Sequence, residues 1–240
     1  MHVQLIEYNH TAVDLLLFTK NTRLGLNTEQ WEGIINIDEH EVREQLEYMA
    51  NTIPSSWEFV SYTFLIEGVS RAFTHQLVRN RHGSYAQESL RVVDKSGYEY
   101  VKSERIKNTP AYNSIVDRVN FLINDAYNKL LAMDCPVEDA RGILPTNIAT
   151  NIVARFNLRT LAELAASRSG GRTQDEYRKV MNAMIDEVTK VHPWTELFFF
   201  GDRGRDYFAE LEAFAEREYG GNLLKKGELL KIVDKMRKQR

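Results

Sequence analysis

The sequence has little cysteine, proline or glycine, and each scarcity narrows the possible structures. Cys135 is the one cysteine, which excludes an internal disulfide framework and is typical of a reducing compartment. Five prolines and 13 glycines among 240 residues leave few turn signals, so we expect helices to dominate. Repeats, low-complexity blocks and a flexible linker are absent too. We therefore predict a single domain over residues 1–240 whose end, from about 222 to 240, is a basic helical tail.

The chain also lacks a long hydrophobic run and an excess of either charge. No apolar segment approaches the roughly 20 residues that a membrane span requires. The first five residues have no basic segment leading into an apolar stretch, so we expect no signal peptide. Because 31 Lys and Arg stand against 34 Asp and Glu, the net charge is −3. We therefore predict a cytoplasmic protein without membrane or nucleic-acid partners, in which any anion site is a local concentration of positive charge.

Common catalytic and cofactor motifs are missing as well. No Gly-x-Gly occurs, and the chain has neither a Rossmann fingerprint nor a P-loop. The six histidines include no pair four residues apart and there is no Cys-x-x-Cys, so we predict no metal site. Cys135 has no histidine near it in the sequence, and we interpret it as a structural thiol and not a nucleophile.

Hydrophobic periodicity predicts mixed secondary structure in which helices dominate. Residues 59–67 alternate between apolar and polar, which indicates a half-buried strand, and after Gly68 the spacing becomes helical through about residue 81. A long amphipathic helix is predicted over 114–133, with Ile115, Val119 and Leu122 on its apolar stripe. Further helices are predicted over 160–167, ended by glycines 170 and 171, over 174–190, and from 208 onward with a break near 220–221.

A polar segment from residue 71 to 91 concentrates positive charge in this acidic chain. It contains four arginines and two histidines but a single acid, Glu88. In a helix, Gln76 and Arg79 would share a face. In an extended chain, the side chains of Gln87, Ser89 and Arg91 would point the same way. Together they suit a phosphate and a polar heterocycle, although charge runs of this kind are more often solvated helix surfaces.

A second polar segment follows, enriched in asparagine and arginine. Its members are Arg141, Asn147, Asn151, Arg155, Asn157, Arg159 and Arg168. Asn147 and Asn151 are one helical turn apart in spacing. A cation at a helix C-terminus explains Arg168 alone, but it does not explain the asparagines.

Taken together, the two segments resemble the flavin-dependent thymidylate synthases. The family signature is Arg-His-Arg, seven residues and Ser, which stands here as Arg79-Asn80-Arg81-x7-Ser89. Further matches in the family's order and approximate spacing are Ala140-Arg-Gly-Ile-Leu-Pro145, Asn157-Leu-Arg159, Arg168 and Pro193-Trp194. The resemblance covers residues from about 53 to 195. It departs at Asn80, where the signature has His, at Glu163, where Asn is common, and at residues 171–176, where many members have Ala-Gln-Trp-Glu.

The resemblance implies a homotetramer of helix-rich α+β subunits, each with a small sheet, whose sites lie at subunit interfaces. It implies transfer of a methylene group from methylenetetrahydrofolate to C5 of dUMP, with FAD as cofactor, NADPH as reductant and no cysteine nucleophile. By position, the dUMP contacts are Gln76, Arg79, Gln87, Ser89, Arg91, Arg141 and Arg168. The FAD contacts are Ser55, Glu58, Arg79, Asn80, Arg81, Asn157, Arg159 and Glu163. Arg168 is the implied catalytic residue, because a fixed cation favours the ionised N3 of uracil.

Two other functions are compatible with the same residues. One is a related flavin enzyme that methylates or hydroxymethylates UMP or dCMP, which a binding titration with UMP would distinguish. The other is a non-catalytic nucleotide- or RNA-binding protein that uses the arginines electrostatically, which would be colourless and bind in a strongly salt-dependent way.

Overall fold

The computed structural model describes residues 1–22, 25, 38–168, 170, 173–200, 207–219 and 223–238. It confirms a helix-rich chain with a small sheet. The strands are β1 His2–Tyr8, β2 Ser61–Ser70, β3 Ser84–Gln87 and β4 Ala149–Asn157. The helices are α1 Ala12–Asn21, α2 Glu39–Thr52, α3 Arg71–Leu77, α4 Glu104–Lys107, α5 Pro110–Ala132, α6 Val137–Ala140, α7 Leu158–Arg168, α8 Asp175–Val191, α9 Glu196–Phe200, α10 Tyr207–Tyr219 and α11 Leu223–Lys238. Short 3₁₀ helices cover Pro54–Phe59, Arg141–Ile143 and Pro193–Thr195.

The strands form an antiparallel sheet in the order β1-β2-β4-β3. The predicted alternation of β2 is confirmed, since Tyr62, Phe64 and Ile66 are fully buried on one face. On the other face Ala86 and Arg155 are exposed, so one face of the sheet packs on the core and the other is left uncovered by the described residues.

Helix α8 covers the buried face of the sheet where β1 and β2 pair. Its buried residues recur at helical spacing: Tyr177, Val180, Met181, Met184, Ile185 and Val188. Helix α7 packs beside α8 and follows directly from β4. Both helices lie within one to two residues of their predicted bounds, because their apolar stripes meet the same core.

Helix α3 is shorter than predicted, and this corrects the placement of the arginine-rich segment. Ser70 is the N-cap of the helix, because its Oγ accepts a hydrogen bond from the Phe73 N–H at 3.1 Å. The helix ends at Leu77 and not near residue 81, so Arg79 lies in a turn. The predicted helical face shared by Gln76 and Arg79 is therefore wrong.

Helix α5 confirms the predicted amphipathic helix but exposes its apolar stripe. Ile115, Val119 and Leu122 are 63%, 48% and 54% exposed. The face that α5 buries carries Asn120 and Tyr127, whose polar atoms bond to the neighbouring segment from residue 95 to 98. The chain therefore presents a helix whose apolar stripe has no partner among the described residues.

The chain divides into two compact units, Met1–Phe199 and Phe200–Arg240. The second contains α10 and α11, which pack against each other; the break predicted near 220–221 lies outside the described residues, as does Gly171. A single domain over residues 1–240 stays a prediction. In the described part of the chain, no helix combines the length and apolar character needed to cross a lipid bilayer.

Candidate active site

Two arginines assigned to the nucleotide meet on one acidic residue. Arg91 lies in the turn after β3, and its Nε is 2.7 Å from Oε2 of Glu138. Arg141 follows α6 and donates from its Nε to the backbone carbonyl of Glu138 at 3.1 Å. Both arginines are exposed, and an exposed ion pair contributes only about 0–1 kcal/mol. An incoming anion can therefore displace the carboxylate, which makes this surface a candidate phosphate site.

The polar residues between β3 and Arg91 are fixed by local hydrogen bonds. Gln87 ends β3 and donates from Nε2 to Oγ1 of the buried Thr74, at 2.7 Å. Ser89 lies beyond the strand, where its Oγ accepts from the Arg91 N–H at 3.2 Å. The expected extended alternation of Gln87, Ser89 and Arg91 is therefore wrong past Gln87, because the chain turns there.

The end of α3 and the turn after it contribute an amide and two arginines that have no ion pair among the described residues. Gln76 donates from Nε2 to Oε1 of Gln174 at 2.6 Å, which joins α3 to the segment before α8. Arg79 and Arg81 are exposed, and neither guanidinium forms an ion pair with any residue that the structure describes. Guanidinium groups in this state are available to a phosphate or carboxylate ligand.

Asn80, which stands where the family signature has His, forms a local turn. Its Oδ1 accepts from the His82 N–H at 3.0 Å, an arrangement that asparagine favours. Its backbone carbonyl accepts from the Tyr85 hydroxyl at 2.7 Å. Burial raises the pKa of Tyr85 to about 12, so this hydroxyl keeps its proton and stays a donor. Asn80 therefore sets the path of the chain between Arg79 and Arg81.

A second group brings together three residues assigned to the flavin. Arg159 is held between two carboxylates, with its Nη1 2.7 Å from Oε1 of Glu58 and its Nε 3.1 Å from Oε1 of Glu163. The hydrogen bonds that Arg159 donates to Glu163 and to Glu58 raise its pKa, with that to Glu163 as the larger cause. Asn157 ends β4 next to this group, and its Oδ1 caps α7 by accepting from the Thr160 N–H at 2.8 Å. Ser55 lies exposed in the 3₁₀ helix that carries Glu58.

Arg168 ends α7, as predicted, and is partly buried. Its guanidinium carbon lies 5.1 Å from the ring centroid of Tyr177, a cation–π contact with the first turn of α8. Burial raises the pKa of Tyr177, and the charge of Arg168 opposes that rise. The Nε–H of Arg168 is buried and has no acceptor among the described residues. A guanidinium held in this way retains a donor for a ligand.

The predicted site residues form two groups in the described part of the chain. Arg91 and Arg141 come together, as do Glu58, Arg159 and Glu163. Three cavities of about 530, 740 and 200 Å³ in the described part of the chain are lined by other residues. The side chains of both groups are exposed or partly exposed in the described part of the chain.

The sequence did not predict several residues that bind to the candidate site residues. Glu138 and Gln174 bind predicted residues from distant parts of the chain, and no spacing rule connects them. Asn147 and Asn151 are not on one helix: Asn151 lies in β4, and its Oδ1 accepts from the Gly68 N–H at 3.1 Å. The side chain of Asn151 thus satisfies a backbone N–H of β2.

Cys135 lies just after α5, partly buried, with its Sγ 3.8 Å from the Pro136 carbonyl. No histidine or carboxylate contacts the thiol in the described residues. Within the same residues, no cluster of three or more His, Cys, Asp or Glu is placed to hold a metal ion.

Comparison with known proteins identifies the family of this chain. A family model described as thymidylate synthase complementing protein matches residues 4–194. A flavin-dependent thymidylate synthase from Nitratidesulfovibrio vulgaris is 33% identical over 210 residues, which are 82% of this chain and 84% of that protein. Another from Sulfurisphaera tokodaii is 36% identical over 201 residues, 80% of this chain and 75% of that protein. A crystal structure of thymidylate synthase X from Helicobacter pylori with FAD and dUMP shares the fold, with a TM-score of 0.64 and 20% identity, over 84% of this chain and 98% of that one.

Proposed function

The chain belongs to the flavin-dependent thymidylate synthases, and we propose that it converts dUMP to dTMP with methylenetetrahydrofolate as carbon donor, FAD as cofactor and NADPH as reductant. The observation that carries the proposal is the meeting of Arg91 and Arg141 on Glu138 in a chain of this family. Two neighbouring guanidinium groups, one on the replaceable Glu138 carboxylate and one on the Glu138 backbone carbonyl, suit a phosphate monoester.

The nucleotide phosphate takes the place of the Glu138 carboxylate. Arg91 and Arg141 turn to it, and the Ser89 hydroxyl, one turn away, adds a neutral donor. Gln87, fixed by Thr74, and Gln76, fixed by Gln174, supply amides for the polar edge of the base. Arg79 completes the set of dUMP contacts as a free cation.

Arg168 has the catalytic role in this proposal. Its buried Nε–H faces no protein acceptor in the described residues, and the ring of Tyr177 holds the guanidinium in place. A fixed cation beside N3 of the uracil favours loss of the N3 proton, because it stabilises the resulting anion. The electron density of that anion extends to C5, which is then a nucleophile without attack by an enzyme thiolate on C6.

The residues assigned to FAD fit its chemistry. Arg79 and Arg81 are exposed cations suited to a pyrophosphate, and Asn80 fixes the turn between them. A polar surface at the junction of β4 and α7 is formed by the other residues assigned to FAD, which are Ser55, Glu58, Asn157, Arg159 and Glu163. When bound and reduced by NADPH, the flavin supplies the hydride of the reaction.

The complete site is proposed to form at the interfaces of a homotetramer. The side chains of the nucleotide and flavin groups lie at the surface of the described chain, and the exposed stripe of α5 offers an apolar surface on a 23-residue helix. Such a helix is about 35 Å long, which is enough for one side of a stable interface of about 800 Å² per subunit. The uncovered face of the sheet, with Leu65 and Val153 partly exposed, is a second candidate surface.

The test is the reaction of the purified protein. We expect flavin absorption bands and, with methylenetetrahydrofolate and NADPH, formation of dTMP from dUMP. UMP and dCMP are the comparison substrates, and conversion of either in preference to dUMP would replace the proposed substrate. A colourless protein whose dUMP affinity falls steeply with salt would instead favour the non-catalytic function.

A further inference from the structure

Glu88 is the one acid of the arginine-rich segment, and it lies at the centre of a half-buried ionic group. One carboxylate oxygen contacts Nζ of Lys95, and the two side chains are only 18% and 15% exposed. The backbone carbonyl of Glu88 accepts from Nη2 of Arg71 at 3.0 Å. Burial lowers the pKa of Arg71, and the negative charge of Glu88 opposes that change. We call these three residues the Glu88 cluster.

The cluster anchors the segment that carries the nucleotide residues. Glu88 stands between Gln87 and Ser89, and its N–H donates to the Asn151 carbonyl of β4 at 3.1 Å. Arg71 is itself fixed, because its N–H donates to the Ile148 carbonyl at 3.1 Å. Glu88 is thus tied by backbone and side chain to β4, α3 and the segment after the turn.

The far side of the cluster reaches the buried face of α5. The Lys95 N–H donates to the Tyr127 hydroxyl at 3.3 Å, and the Tyr127 side chain is fully buried. The turn with Ser89 and Arg91 therefore begins and ends at residues of the cluster. Its position depends on the Glu88–Lys95 pair, which closes the turn.

The charged side chains in and around the Glu88 cluster have a net positive charge, which suits the binding of an anion. Arg71, Lys95, Arg91 and Arg141 oppose the carboxylates of Glu88 and Glu138, which leaves a formal excess of two positive charges. Nε of Arg71 and Oε2 of Glu88 are buried with no hydrogen-bond partner among the described residues. Buried polar atoms without a hydrogen-bond partner lower the stability of the fold. A role of the cluster in positioning the neighbouring nucleotide residues explains why the chain keeps it.

We propose that Glu88 is a positioning residue for the nucleotide: through its ties to Arg71 and Lys95 it holds Gln87, Ser89 and Arg91 in the arrangement that binds dUMP. This inference rests on the proposed function, because it takes dUMP as the ligand. Glu88 does not touch the nucleotide in this proposal. Its effect belongs to binding and not to the chemical step.

Glu88→Gln separates this role from a simple charge effect, because the two predict opposite changes. Removal of a negative charge near a phosphate site would tighten dUMP binding if charge alone mattered. Loss of positioning weakens it. We expect the Kd of the FAD-loaded variant for dUMP, measured by titration of the flavin spectrum, to rise about tenfold. Flavin content and kcat at saturating dUMP should stay within about twofold of the wild type.

Glu88→Asp provides the second test, since it keeps the charge and shortens the reach by one methylene. Positioning predicts weaker dUMP binding here too, whereas a charge effect or a spectator role predicts wild-type affinity. Glu47→Gln is the matched control, because Glu47 forms an exposed ion pair with Arg43 on α2. If Glu88→Gln does not fold, the result with Glu88→Asp decides.

The outcomes separate this inference from the proposed function. Wild-type protein that does not convert dUMP overturns the proposed function. Wild-type activity together with unchanged or tighter dUMP binding in the Glu88 variants overturns only the positioning role. Equal losses in Tm and in flavin content without a change in dUMP affinity also contradict it, because they indicate a purely structural residue.

Discussion

Helices α5 and α8 are both long and amphipathic, but they use their apolar stripes in different ways. The stripe of α8 is buried against β1 and β2, with Tyr177 and Met184 at or below 1% exposure. The stripe of α5 is about half exposed at Val119 and Leu122. Periodicity gives the direction of an apolar face, but it does not say whether the partner is the same chain or a second copy.

The difference extends to the residues that adjoin each helix. Arg168 stacks on Tyr177 at the start of α8, so its guanidinium is positioned by the core of its own chain. Cys135 follows the end of α5, outside the core. Substitutions in the α8 region should therefore damage folding or chemistry within one chain, and substitutions on the α5 stripe should damage assembly.

The largest effect is expected in α8. Met184→Asp places a carboxylate without a partner in the buried face of the helix, at a cost of several kcal/mol, against a total stability of about 5–15 kcal/mol. We expect no cooperative melting transition by circular dichroism. Asn182→Asp, at an exposed position of the same helix, should melt like the wild type. A stable Met184→Asp protein would show that α8 is not the core helix.

The corresponding change on α5 should leave the subunit folded. Leu122→Asp puts a charge on a side chain that is already 54% exposed, so the melting transition should persist. We expect dissociation of the tetramer in sedimentation, together with loss of FAD and of dTMP formation, because the proposed sites are shared between chains.

Asn128→Asp is the control for α5, since Asn128 is exposed on the same helix and lies outside the apolar stripe. It should keep the wild-type mass and flavin content. A Leu122→Asp protein that stays assembled and yellow would contradict the assignment of the stripe to an interface. The proposed interface between copies of the chain would then have to involve another surface.

These two helices also show how far the sequence alone leads. The strand β2 and the helix α8 follow from period and burial, because each faces the core of its own chain. The end of α3 at Leu77 does not, since it depends on the Ser70 cap and on the turn that Asn80 forms. Polar residues on the outward side of β4 obscured its alternation, so that strand was missed.

The candidate site was less predictable than the fold. The family resemblance assigned Arg91 and Arg141 to one ligand set by position, and in the structure both contact Glu138. Their common partner Glu138 lies 47 residues from Arg91, and such long-range pairs leave no local pattern. The assignment of residues to dUMP and FAD stays a prediction that substitution must test.

A smaller effect, confined to the chemical step, is expected at Arg168. Arg168→Lys keeps a cation at the end of α7 but loses the planar donor group. Removal of one preorganised donor typically lowers the rate by about 10²–10³. We expect that loss in single-turnover oxidation of the reduced enzyme with dUMP and methylenetetrahydrofolate, with near-normal Tm and flavin content.

Arg178→Lys is the matched control for that change. Arg178 lies in α8 and its Nη2 pairs with Oδ1 of Asp175 at 2.6 Å. It is not among the residues assigned to the site. It should retain wild-type turnover. Full activity of Arg168→Lys would reduce Arg168 to a helix-terminal cation worth about 0.3–1 kcal/mol.

The smallest effect is expected next to α5, at Cys135. The thiol is partly buried and its one hydrogen bond among the described residues goes to the Pro136 carbonyl, so no base there can generate a thiolate. Serine is nearly the same size, so Cys135→Ser should change neither Tm nor the rate of dTMP formation beyond about twofold. Loss of turnover in a folded, flavin-loaded Cys135→Ser protein would mean that a cysteine attacks C6 of the uracil. The proposed activation of C5 through Arg168 would then be wrong, and the catalytic group would lie at the end of the exposed helix and not beside the core.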